Sequence, residues 1–99
     1  MYVDIKESDI KNKKWTATFY DSSDRKKIKT THFGHNKYED YTQHHDDIRK
    51  AAYIRRHQKN EDWNDFMSAG SLSRYILWEH KDFDKAVKAY MKRFNLKPL

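Results

Sequence analysis

Cysteine is absent from the 99 residues. That excludes disulfides, thiolate metal sites and a cysteine nucleophile, and it fits a reducing compartment. Proline occurs once and glycine twice, so a glycine-rich phosphate loop or a Pro/Gly-rich linker has almost nothing to be built from. Long apolar runs are missing too. The longest, Tyr75-Ile-Leu-Trp78, has four residues, against the ~20 that a membrane helix needs, so no membrane insertion is expected. The first ten residues, MYVDIKESDI, lack a basic n-region and an apolar h-region. No signal peptide is expected there, and the chain is read as not secreted.

What is present is charge and aromatic rings. Charged residues make up 36% and hydrophobic residues also 36%, a balance found in disordered chains, but 15% of the residues are aromatic. Disordered chains are poor in aromatics, and each aromatic ring buries a large area. A folded domain with a small aromatic core is expected, spanning 1–99 as one unit. Lysine and arginine outnumber the acids by 21 to 15, a formal net charge of +6. That excess favours anionic partners, DNA or RNA among them.

The first third alternates at period two. Met1, Val3 and Ile5 share one face; Trp15, Ala17 and Phe19 share another, with Thr16, Thr18 and Tyr20 opposite. Asp21 to Asp24 is turn chemistry, and a third strand is expected through Ile28 and Thr30. Gly34 is read as the break between a β-rich part, 1–33, and a helical part, 38–96. Thr42 is the expected N-cap of a helix with Asp46 and Asp47 early and Arg55, Arg56 and Lys59 late, a polarity that suits the helix dipole. Its inward side is expected to carry Ile48, Ala51 and Ala52. Ser71 is a candidate cap for a short helix through YILW. Asp82 is a candidate cap for a last helix, whose Phe83, Val87, Tyr90 and Phe94 form the clearest amphipathic stripe in the chain. The fold class expected is α+β: an antiparallel meander of about three strands, then about three helices on one face.

The stretch RKAAYIRRHQK, Arg49 to Lys59, contains five basic residues and no acid. Arg49 and Arg56 lie seven apart and share a helix face, with Tyr53 between them. Arg49, Lys50, Tyr53, Arg55, Arg56 and Lys59 are therefore candidate nucleic-acid contacts through the phosphate backbone. The competing explanation is a solvated face with pairs such as Asp46–Lys50. His32, His35, His44 and Asp47 hold ligand types used by zinc and iron, but no HExxH or other standard spacing accompanies them. They carry a weak alternative, a metal-dependent hydrolase. No GxSxG or other catalytic signature is present, and the expectation is a non-enzymatic protein without cofactors. Tyr20, Tyr38, Tyr41 and Trp63 are candidate interface aromatics.

The run HFG, YEDYTQHHDDIRKAAYIRRH, NEDW, SAGSLSRYILW and YMKRF, covering roughly Thr30 to Leu96, resembles a family of short, basic, functionally uncharacterised proteins encoded by large nucleocytoplasmic DNA viruses. The resemblance implies a setting and no activity. The protein would be a structural virion component touching capsid or core proteins, nucleic acid or both, located in the virion or in the host-cell cytoplasm or nucleus.

Overall fold

The computed structural model describes residues 1–99. Its first three strands, β1 (Tyr2–Glu7), β2 (Lys13–Tyr20) and β3 (Lys27–His35), form an antiparallel meander. The period-two pattern sets the register. Val3 pairs with Phe19, Ile5 with Ala17, and Trp15 with Phe33, so these apolar residues of the three strands fall on one face, while Ile28 of β3 is exposed. Asn12 and Arg25 take positive φ, 70° and 57°, in the two connecting turns. A fourth strand, β4 (Lys97–Pro98), lies parallel to β1 and completes the order β3-β2-β1-β4. β3 is the edge, and its exposed Lys27 and Lys29 discourage pairing with another sheet.

The helical half contains α1 (Tyr41–His44), α2 (Asp47–His57), α3 (Ala69–Leu72), which continues into a π-helical turn over Ser73–Leu77, and α4 (Phe83–Arg93). The architecture is α+β, as the sequence suggests. Val3, Ala17, Phe19 and Phe33 of the sheet pack against Leu72 of α3, Ile76 and Leu77 of the π turn, Tyr90 of α4, and Leu96. The α4 stripe performs as its spacing predicts: Phe83 stacks on Trp15 with centroids 4.3 Å apart, while Val87 and Phe94 pack on the core. Asp82 caps α4 by accepting from the Lys85 amide.

Several local expectations are corrected. Gly34, read from the sequence as the break between the halves, lies one residue before the end of β3, with φ +77°. A Cβ there would meet Leu77 Cδ1 at 2.9 Å, so glycine is required both by the backbone and by the close approach of the π turn. Thr42 is not a cap. Asp40 caps α1 in a capping box with Gln43, and Asp46 caps α2 by accepting from the Ile48 and Arg49 amides. His45, at φ 56°, separates the two helices. Ser68 rather than Ser71 caps α3; the Ser71 hydroxyl is buried and donates to the Trp63 carbonyl.

The inward side of α2 is also reversed. Ile48 is 81% exposed and Tyr53 only 8%. Lys50, Tyr53 and His57 form a second stripe at i, i+3 and i+7. That stripe wins because the Tyr53 ring can stack on Trp78, whereas Ile48 has no facing apolar partner. Tyr53→Ala is expected to cost about 3 kcal/mol in urea unfolding and Ile48→Ala no more than about 0.5 kcal/mol. Equal losses would put α2 the other way round.

A candidate anion-binding groove

Helix α2 approaches the rest of the fold mainly through side chains; its most extensive backbone contact is with α1. Tyr53 is sandwiched between His57 (4.2 Å) and Trp78 (4.3 Å, rings 3° from parallel). The Lys50 ammonium donates to the Glu79 carbonyl at 2.7 Å and sits 4.9 Å from the Tyr41 ring centre. The Tyr41 hydroxyl donates to the Asp47 carboxylate. That hydrogen bond holds Asp47 below the usual carboxylate range and pushes Tyr41 up. Burial pushes the Tyr53 phenol up as well.

Between α2, the ends of β2 and β3, and the α3–π segment lies a groove of about 600 Å³. Small residues keep it open: Gly34 on β3, Ala52 on α2, and Ala69 and Gly70 on α3. Gly70 packs closely against the Glu61 carboxylate, which an added Cβ would meet. Phe33 and Leu77 form part of the lining, together with Tyr53 and Trp78. Arg49 and Arg56 line it from α2, Lys13 and Lys14 from β2, and Tyr38 from the loop before α1. The acids of the groove have partners. Asp40 accepts from Lys14 at 2.8 Å, and Glu61 accepts from Trp63 at 3.0 Å and lies 3.1 Å from His57. Glu39 is 3.7 Å from Arg49 at the surface. Lys13 and Arg56 have no ion pair.

The six sequence-derived contact residues thus separate. Arg49, Tyr53 and Arg56 meet in the groove; Arg55 and Lys59 are exposed; Lys50 is tied to Glu79. Tyr53 has rings on both sides and serves as the anchor of α2 rather than as an open stacking surface. Among the interface candidates, Tyr38 is 70% exposed and Tyr41 is buried, while Tyr20 and Trp63 are half-buried. Sequence reasoning missed Lys13 and Lys14, because these reach the groove only through tertiary packing.

The histidines disperse. His32 Nδ1 lies 2.8 Å from the Thr16 hydroxyl, His35 Nδ1 accepts from the Lys37 amide, and His44 packs against Tyr41 and Trp78. No group of three or more His, Cys, Asp or Glu is arranged to hold a metal ion. The sequence-derived set of His32, His35, His44 and Asp47 is not assembled as such a group.

The profile of a family of unknown function (DUF5754) matches residues 3–57. The chain belongs to this family. The match takes in the three long strands and α2, and stops before the SAGSLSRYILW segment that forms the groove's other side. No curated protein and no solved structure matches the chain. No helix is long and apolar enough to cross a membrane.

His44 gives the stability of the fold a pH dependence. Its Nδ1 accepts from the Asp46 amide, while its buried Nε2 has no partner. Burial first, and Arg49 second, lower its pKa against the opposing pull of Asp46, Glu39 and Asp40. A lowered folded-state value means that the unfolded chain binds the proton more readily. The His44 contribution is complete above its ordinary value of about 6.5 and is lost as pH falls through the lower folded value. The urea midpoint is therefore expected to fall further between pH 7.5 and 5 in the native protein than in His44→Phe. Parallel pH profiles would refute this role.

Proposed function

We propose that this is a non-enzymatic binding protein of a large DNA virus, a virion component that holds nucleic acid by its phosphate backbone without reading its sequence. The observation that carries this is the free charge of α2. Arg55 and Arg56, with Lys59 just beyond the helix, are exposed without ion pairs, and Arg49 is held only loosely by Glu39. Guanidinium groups grip phosphate through several donors at once, and a backbone grip requires no base-reading element. The viral setting is supported by the resemblance of Thr30 to Leu96 to proteins of that source; capsid or core proteins are the accompanying partners.

The grip has a quantitative signature, since each neutralised phosphate adds about 0.9 to the slope of log affinity against log salt. Binding to a labelled random duplex is expected to weaken steeply with salt. In the Arg49→Ala/Arg55→Ala/Arg56→Ala variant, the slope should shrink by about 2 to 3. An unchanged slope removes α2 as the contact surface. The virion assignment expects the protein in purified particles, and its absence from them by mass spectrometry would refute that part alone.

A further inference from the structure

We infer that the groove is a seat for one unpaired nucleotide of a single strand, with its base against Tyr38 and its phosphates between Arg56 and Lys13. This inference rests on the phosphate-binding role of α2 and extends it from the helix surface into the cavity behind it. The volume, about 600 Å³, falls within the range of small-ligand sites. Cations line opposite sides: Arg56 on α2 and Lys13 at the start of β2, neither in an ion pair. The deeper acids, Asp40 and Glu61, are already held by Lys14, His57 and Trp63, so they repel an entering phosphate less than free carboxylates would.

Tyr38 supplies the ring. It is 70% exposed at the lip, and its side chain makes no hydrogen bond. Its aromatic neighbour His35 is tilted 59° at 5.3 Å rather than stacked. An exposed ring beside free cations on a backbone-gripping helix is the combination that single-strand binders use, because every base offers a π face. A duplex keeps its bases inside and can offer this groove only phosphate; an unpaired nucleotide offers both. An acidic peptide would satisfy the cations and leave Tyr38 unused.

The test compares three probes at one salt concentration: a single-stranded oligothymidylate, an abasic strand of equal length and charge, and polyglutamate. The oligothymidylate is expected to bind at least about tenfold more tightly than the abasic strand, in keeping with the usual strength of base–aromatic stacking. Tyr38→Ala, at an exposed site whose loss leaves the urea midpoint unchanged, should weaken the oligothymidylate by about fivefold or more and the abasic strand not at all. Equal affinity for the two strands, or equal weakening of both in Tyr38→Ala, overturns the nucleotide seat and leaves the phosphate grip standing. Polyglutamate binding as tightly, charge for charge, as the oligothymidylate also overturns it and points to a protein partner. Failure of both strands to bind at low salt removes the phosphate grip and the seat together.

Discussion

The stack of Tyr53 on Trp78 is the contact on which the helical half is organised. The π turn places Ile76 and Leu77 against the sheet beside Leu72 of α3 and ends in Trp78, whose amide donates to the Ser73 carbonyl. This wider turn leaves Trp78 facing the nearly parallel ring of Tyr53. Such a pair adds about 0.5–1.5 kcal/mol beyond the area it buries. It also fixes a distance. Because α2 rests on stacked rings and not on small residues pressed to the sheet, its backbone stands off and the groove remains. Packing and candidate function thus share one cause.

The same economy governs charge. Asp40, Asp46 and Asp82 are used as helix caps, Asp47 takes the Tyr41 hydroxyl, Glu61 takes Trp63, and Glu79 takes Arg74. Most of these acids satisfy backbone or aromatic donors instead of neutralising cations. Few lysines and arginines are in ion pairs: Lys14, Arg49 and Arg74. The net charge of +6 is therefore carried largely by side chains reaching into solvent. Ion pairing at such a surface contributes little to stability, so this excess is not a device of folding.

How much of this was legible beforehand follows from how local each signal is. The strands were legible because period two commits every residue to a face, and the α4 stripe because four aromatic or aliphatic residues recur at helical spacing ahead of an aspartate cap. Helix α2 was not. Its Ile48/Ala52 side and its Tyr53/His57 side are both plausible inward faces, and the choice belongs to Trp78, which lies 25 residues beyond Tyr53 in the chain. The caps of the earlier helices failed in the same way. The run Tyr38 to Asp47 offers several capping side chains, and the break at His45 uses a positive φ without a glycine to announce it. β4 has two residues and gives no periodicity; it is held by the Lys97 amide on the Met1 carbonyl and the Leu99 amide on the Val3 carbonyl.

This division between local and tertiary signals also separates the two halves of the functional argument. The basic character of Arg49 to Lys59 is a property of a single helix and persists wherever that helix forms. The groove draws Lys13, Gly34, Tyr38, Arg56, Gly70 and Trp78 from separate stretches, so it exists only when the sheet, α2 and the π turn are docked together. The family match ends at His57, between the cationic side and the aromatic anchor that holds it in place. The proposed phosphate contacts Arg49, Arg55 and Arg56 therefore lie within the matched part of the chain, whereas the proposed nucleotide seat also depends on the packing of Tyr53 on Trp78 that joins the matched part to the rest.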